Sequence, residues 1–404
     1  MLPEQPTSLL GGWSPLKKVS NAYRSPCPPW IPIPPPAYGG IERVVALQAA
    51  GLAAAGHDVT LVAAPGSAVS GVEVVTPLDR VPAQIGMATD EWRHVLGGLD
   101  ALSAVDTVID HSGPLGALLS AQGAVPALHV VHGSLEGELL GLYNGLFARV
   151  PQLQLVGISH SQRQAVPHLS FRGRLPQRHQ RRRGPLPRHF RGLPGVPGQD
   201  GARKGAAEAI ALARKAGLPL LIAAKCREPA EQAYFDRAVA PHLGPDVVFL
   251  GELGREETYD FLSRAAAMLF PISWREPFGM VLVEAMACGT PVLATNRGAV
   301  SEIVRDGVTG FVRDTIAELA PLIGRIGEID RAACRRHVAA GFSSSALVRS
   351  YTTLLAPVRD RQVPAPAAPM VFSAPTPSTR PLLTHRNLPR VPAAFTAARQ
   401  PAGW

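Results

Sequence analysis

The sequence predicts an α/β fold of two parallel-sheet units facing a cleft, and three observations carry that prediction. Short apolar runs alternate with helical patterns along most of the chain, as parallel strands joined by crossover helices require. The runs end repeatedly in His, Ser, Gly, Lys or Glu, at the carboxyl edge of such sheets, where ligands bind. The chain has 404 residues, more than one hydrophobic core organises, and its 46% hydrophobic content fills two.

Gly39-Gly40 opens a Val- and Ala-rich helix over Glu42 to Ala55, which Gly56 stops. Strands follow at Val59 to Ala64 and near Val72 to Val75. Val105 to Ile109 delivers Asp110-His111-Ser112-Gly113 at its end, Pro126 to Val131 delivers His132-Gly133, and Leu153 to Ile158 delivers Ser159-His160-Ser161. The second half repeats the pattern. A helix over Ala206 to Ala216 precedes the strand Pro219 to Ala224, which reaches Lys225. Val247 to Leu250 reaches Gly251-Glu252, and Met268 to Pro271 reaches Ser273-Trp274-Arg275-Glu276, with helices Glu231 to Leu243 and Glu256 to Ala267 between them. A last helix spans about Ser345 to Leu355.

The stretch from Glu276 to Thr295 carries the most chemistry. Pro277 and Gly279 open a helix, and the free N–H groups of its first turn, around Phe278, Gly279 and Met280, form an anion site reinforced by the helix dipole. Glu276 stands just before that turn. Glu284 is the lone charged residue in the run Met280 to Cys288, so its charge needs polar partners. Gly39 and Gly40 let the backbone approach a phosphate or an acceptor closely. Each feature also has a plainer reading. Glu276 reads as a loop acid at a helix start, Gly39-Gly40 as an ordinary turn, His132 as a hydrogen-bonded strand-end imidazole, and Lys225 as a lysine snorkelling from a strand end.

Together with Gly289-Thr290-Pro291 and the strand Val292 to Thr295, this block resembles the E-x7-E signature of the family 4 retaining glycosyltransferases, which have the GT-B fold of two Rossmann-like domains. Tyr38-Gly39-Gly40-Ile41-Glu42-Arg43-Val44 resembles the family's glycine-rich loop, and Val308-Thr309-Gly310-Phe311-Val312 its strand after the donor site. The resemblance covers residues 30 to 170 and 204 to 357. It implies transfer of a sugar, with retention, from a UDP- or GDP-linked nucleotide-sugar to a carbohydrate, lipid-linked or small-molecule acceptor. Under it the catalytic candidates are Glu276 on the sugar hydroxyls, His132 on the donor sugar or the acceptor hydroxyl, and Lys225 on the leaving diphosphate. Donor binding falls to Gly39, Gly40, Lys204, Lys225, Phe278, Gly279, Met280 and Glu284. Within that set Glu284 takes the ribose diol, and Lys204 matches the lysine of the family's R-x4-K clamp, whose arginine position holds Gln199. The chain has no D-x-D, so neither a metal nor a cofactor besides the nucleotide-sugar is expected. The alternative is a catalytically impaired nucleotide-sugar-binding protein of the same fold.

This layout places an irregular segment at 1–29, an acceptor-side domain at 30–170, an Arg/Pro-rich linker at 171–203, a donor domain at 204–342, a closing helix at 343–357 and a disordered Pro-rich tail at 358–404. Each domain is expected to lack its first strand. Ser25-Pro26-Cys27-Pro28 stands where a Val/Ile-rich strand belongs, and prolines at 176, 185, 187, 194 and 197 oppose a central strand in the second break. Such abrupt Arg- and Pro-rich text is what a shifted reading frame produces. It also explains the formal charge of +9: eight arginines lie in 172–191 and five in 361–404, and without them the balance is −4. A pI of about 9.8 is therefore no sign of nucleic-acid binding. The four cysteines lack zinc-site spacing and read as reduced packing residues. With no apolar run of membrane-spanning length and no signal peptide, a cytoplasmic protein is expected, with peripheral attachment at the inner membrane face left open.

Overall fold

The computed structural model describes residues 21–102, 105–122, 125–150, 153–176, 193–195 and 204–355. All of them belong to the first of two compact units, Met1–Ala365 and Pro366–Trp404. The expected disordered tail and the Gln199 position fall outside the described residues.

The N-terminal half is a seven-stranded parallel sheet in the order β3-β2-β1-β4-β5-β6-β7. Its strands are β1 (Ala22–Pro26), β2 (Asp58–Val62), β3 (Glu73–Val75), β4 (Thr107–Asp110), β5 (Ala127–Val130), β6 (Gln154–Gly157) and β7 (Phe171–Arg174). Crossovers run through α1 (Gly40–Ala54), α2 (Ala88–Gly97), α3 (Pro114–Gln122), α4 (Gly137–Arg149) and α5 (His160–Gln164).

The strand expected to be missing here exists, so the irregular reading of residues 1–29 is corrected at 22–26. β1 sits in the middle of the sheet, paired with β2 and β4. It forms without an aliphatic run because its buried polar groups are satisfied. Asn21 Nδ2 donates to the Tyr23 hydroxyl, Gln48 Nε2 to Ser25 Oγ, and Arg24 Nε to the Ala101 carbonyl. Pro26 closes the strand, where its missing N–H does least harm. Its carbonyl accepts the His111 N–H at 2.8 Å, and the next N–H, of Cys27, donates to the Val62 carbonyl at 2.9 Å.

The C-terminal half holds two three-stranded parallel sheets, β10-β9-β8 and β11-β12-β13. The strands are β8 (Leu193–Gly195), β9 (Leu220–Ala223), β10 (Val247–Gly251), β11 (Met268–Phe270), β12 (Val292–Thr295) and β13 (Gly310–Arg313). β8 is the second strand expected to be missing, and it too forms, with residue 194 opposite Leu221. It lies at a sheet edge, and among the described residues no ladder joins it to β11. An edge is where a proline, lacking a backbone N–H, is tolerated. The helices are α6 (Ala206–Lys215), α7 (Pro229–Ala238), α8 (Arg255–Arg264), α9 (Met280–Ala287), α10 (Val300–Ile303), α11 (Ile316–Leu319), α12 (Arg331–Gly341) and α13 (Ser344–Leu355).

α13 packs back onto α1. Gly51 makes room for Val348, with which a Cβ there would collide, and Leu347 and Tyr351 are fully buried. One continuous cluster of buried side chains therefore runs from Tyr23 and Leu52 through Leu220, Phe270 and Leu282 to Tyr351. None of the four cysteines is in a disulfide. Among the described residues no helix is long and apolar enough to cross a membrane.

Candidate active site

Strand ends of both halves converge on one cavity of about 300 Å³. Glu276, His132, Lys225, Gly39, Gly40, Lys204, Phe278, Gly279, Met280 and Glu284, the ten residues singled out from sequence, all line it.

The turn between β11 and α9 is held by close packing. Gly279 caps α9 at φ 92°, a left-handed conformation that favours glycine, and a Cβ there would press on Leu282 and Glu276. Gly298 lies so tightly against the Glu276 backbone that any side chain would clash, and the Ala299 N–H donates to the Glu276 carbonyl at 2.8 Å. Glu276 is thus fixed at both its backbone and its carboxylate, whose Oε2 accepts from Lys204 Nζ at 2.9 Å. Lys204 in turn sits 4.4 Å from the centre of the Trp274 ring and 5.8 Å from that of Phe270. Gly205, at φ 78°, lets this lysine's turn touch the Pro271 carbonyl. Phe278 is fully buried, edge-on to Phe342.

Glu284 does meet a polar partner, and it comes from the opposite half. Arg43 on the first turn of α1 donates from Nη1 to Glu284 Oε1 at 2.7 Å and from Nη2 to the Ala37 carbonyl at 2.7 Å. Arg43 lies inside the glycine-rich motif, where nothing in the neighbouring sequence marks it as a partner of Glu284. Glu252 was also passed over. Its Oε1 accepts the Tyr38 N–H at 3.1 Å, and its Oε2 pairs with Arg227 at 2.7 Å. A third carboxylate joining the halves, Glu302 on α10, accepts the N–H groups of His160 and Ser161 at 2.8 and 2.6 Å.

The glycine loop divides its work. A Cβ on Gly39, at φ 149°, would meet Pro35 and Glu42, whereas one on Gly40 would meet nothing within 4 Å. Gly39 is required by the fold, and Gly40 leaves open space at the cavity. The neighbouring Glu42 carboxyl is pushed up to about 7 by burial.

Lys225 lines the cavity with its charge already engaged by carboxylates. Its ammonium, almost wholly buried, pairs with Glu231 at 3.1 Å and Glu228 at 3.4 Å, so two carboxylates already offset it.

His132 belongs to a buried polar chain. His111 Nδ1 lies 2.8 Å from His132 Nε2, and His111 Nε2 lies 2.7 Å from Gln48 Oε1. Burial, with His129 adding to it, pushes His132 down to about 3, and burial holds His111 well below its ordinary range. A second chain runs beside it: Asp110 bonds His129 Nδ1 at 2.6 Å, and His129 Nε2 meets the Tyr143 hydroxyl at 2.6 Å. The residues of both chains belong to the N-terminal half, and His132 also lines the cavity. Among the described residues, no three His, Cys, Asp or Glu side chains gather as a metal site.

A model described as Glycosyltransferase Family 4 matches residues 38–190, and one described as Glycosyl transferases group 1 matches residues 198–326. The chain is 38% identical over 131 residues to the D-inositol 3-phosphate glycosyltransferase of Mycolicibacterium smegmatis, a match covering 30% of either chain. The chain covers at most about a third of the length of these curated relatives. Solved structures superpose more fully. The sucrose-phosphate synthase of Thermosynechococcus elongatus aligns with TM-score 0.68 at 18% identity over 84% of this chain and 99% of that one. An Anabaena protein solved with UDP and glucose aligns with TM-score 0.65 at 18% identity over 83% and 99%.

Proposed function

Because the chain belongs to the group 1, family 4 glycosyltransferases and folds as GT-B, we propose that it moves a sugar, with retention, from a nucleotide-sugar to a carbohydrate, lipid-linked or small-molecule acceptor. The observation that carries this reading is the pair of nearly buried carboxylates, Glu276 and Glu284, bracketing the N-terminal turn of α9 inside the cavity between the halves.

In this reading the diphosphate rests on the first-turn N–H groups of α9, whose dipole favours the growing negative charge, with Lys204 beside it. Glu276, anchored at its backbone by Ala299, accepts from sugar hydroxyls, and Glu284 accepts from the ribose diol. The bond from the anomeric carbon to the phosphate oxygen breaks while the acceptor oxygen attacks the same face. The acceptor's proton passes to the departing phosphate, and the products are glycosylated acceptor and nucleoside diphosphate. Neither glutamate acts as a nucleophile, and the charge on the diphosphate is met by backbone and lysine, with no resident metal. The solved Anabaena relative that holds UDP supports a uridine donor.

Binding without turnover is the second reading, and the neutralised Lys225 favours it. Calorimetric titration of the full chain with UDP-glucose, GDP-mannose, UDP and GDP tests both. Binding plus acceptor-dependent release of nucleoside diphosphate supports the transferase. Binding with no release from any acceptor class supports the second reading, and no binding at millimolar ligand overturns both. We place the protein in the cytoplasm, with peripheral contact at the inner membrane face needed only for a lipid-linked acceptor.

A further inference from the structure

We infer that Trp274 is a positioning residue: the face of its indole holds the Lys204 ammonium beside Glu276 in the cavity and leaves the charge of that ammonium to a bound anion. A lysine head on a flexible stem has no preferred place of its own, so its surroundings decide where it stands. Among the described residues three groups meet this one. Glu276 Oε2 accepts from Lys204 Nζ at 2.9 Å, the Trp274 ring centre lies 4.4 Å from the same nitrogen, and that of Phe270 lies 5.8 Å away. The Lys204 side chain is only 17% exposed, so these groups, and not water, do most of the holding.

The two kinds of hold differ in what they do to the charge. A carboxylate neutralises an ammonium, whereas a ring attracts it through a quadrupole that carries no net charge. Lys225, which also lines the cavity, shows the contrast: it has carboxylates at 3.1 and 3.4 Å, and the Tyr38 ring lies 5.8 Å away. Lys204, with one carboxylate and a closer indole, is the better placed of the two to meet an anion. Trp274 is itself set by packing. It is half-buried against the main apolar cluster, and its Nε1 has no hydrogen-bond partner among the described residues. What the indole offers Lys204 is its face.

The two holds are redundant while the site is empty. Once Glu276 is drawn to sugar hydroxyls, the ring is the hold that remains, and the ammonium does not have to be ordered anew. Losing the ring therefore costs little in the empty site and more in the filled one, which is the condition for a residue to change affinity. This deepens the transferase reading and rests on it for one clause, that the anion is the donor diphosphate with its sugar on Glu276. The contact between Trp274 and Lys204 does not depend on that reading.

The chain has five lysines, so NMR on the full chain with carbon-13 lysine gives few signals, and Lys204 is assigned by its loss in Lys204→Gln. The expected result is an upfield ring-current shift of the Lys204 ε-methylene, largely removed in Trp274→Leu and kept in part in Trp274→Phe. An unshifted ε-methylene in the unaltered protein overturns the inference, whatever the protein binds. By calorimetry, Trp274→Leu should weaken UDP-glucose about tenfold and uridine less than about twofold. Trp274→Phe, which keeps a ring face and gives up no hydrogen bond, should recover most of the loss. With Lys204 already changed to Gln, the same Trp274→Leu step should cost less than about twofold, because the two residues act as one unit. An equal loss for uridine, an equal loss in Trp274→Phe, or an undiminished loss in the Lys204→Gln background would each overturn the positioning role. If Trp274→Leu does not fold, Trp274→Met serves as the loss variant. A shifted Lys204 signal in a protein that binds neither UDP-glucose nor GDP-mannose would defeat the proposed function and leave the contact standing.

Discussion

Replacing Glu284 by alanine removes two things at once, and the structure separates them. In the folded protein Glu284 is the partner of Arg43, at 2.7 Å, with side chains only 9% and 16% exposed. Truncating one member of a fully buried pair costs about 3 to 5 kcal/mol, and an exposed pair is worth about 0 to 1. This one is mostly buried yet opens on a cavity, so we expect about 2 kcal/mol of lost stability. The second loss is the acceptor for the ribose diol. Hydrogen bonds to a charged group contribute about 1.5 to 3 kcal/mol each, but the carboxylate shares its charge with Arg43, so about 1 to 3 kcal/mol of affinity is at stake. That is a rise in Kd of about 5- to 150-fold. Calorimetry with UDP and GDP, alongside urea unfolding, reads both. Arg43→Met is the control: it breaks the ion pair and leaves the acceptor, so it should reproduce most of the stability loss and little of the affinity loss. If folded Glu284→Ala binds the nucleotide within twofold of the unaltered protein, the assignment of Glu284 to the ribose is wrong.

Three further outcomes are expected. Gly40→Ala should leave stability unchanged and weaken donor binding, while Gly39→Ala, forced against Pro35 at φ 149°, should lower the Tm; equal effects at both would remove the close-approach role of Gly40. Glu276→Gln should depress turnover more than affinity for free nucleoside diphosphate, because Glu276 is assigned to the sugar; equal loss of diphosphate binding would reassign it. Glu42, whose carboxyl is raised from 4.5 to about 7, binds its proton more tightly folded than unfolded, so its contribution is fully present below about pH 4.5 and is lost as pH rises through about 7. Glu42→Gln should therefore gain on the unaltered protein by up to about 3 kcal/mol at pH 8 and by much less at pH 4.5. The same difference in urea midpoint at both pH values would contradict the burial.

What could be read from the sequence was whatever local pattern specifies. α9 announces itself by Pro277, Gly279 and an apolar run, and β12 was read at Val292 to Thr295, its observed limits. β1 was missed because Ala22-Tyr23-Arg24-Ser25-Pro26 has little strand propensity of its own. Its place is set by the strands on either side and by partners such as Gln48 and Ala101, far away in the sequence. The prolines at 176, 185, 187, 194 and 197 argue against a central strand, and the chain meets that argument by leaving β8, which contains only Pro194, at an edge. The site residues inside motifs were found, but their ion pairs were not. Nothing near Glu284 points to Arg43, 241 residues earlier, and nothing near Lys225 marks Glu231 as its partner and not as a helix-start acid.

Those ion pairs also distinguish the two carboxylates of the site in a way spacing cannot. Glu276 is paired with Lys204, from its own half of the molecule, and its backbone is pinned by Ala299 of that same half. Its geometry is complete without the N-terminal domain. Glu284 is paired with Arg43 from the other half, as Glu252 is with the Tyr38 N–H and Glu302 with those of His160 and Ser161. Three carboxylates of the C-terminal half thus hold backbone or side-chain donors of the N-terminal half, and one of the three is also the proposed ribose acceptor. A nucleotide reaching Glu284 must therefore share or displace a bond that helps join the halves. Glu276 is set by one domain alone, while occupancy of the nucleoside end is linked, through Glu284 and Arg43, to the bonds that join the halves.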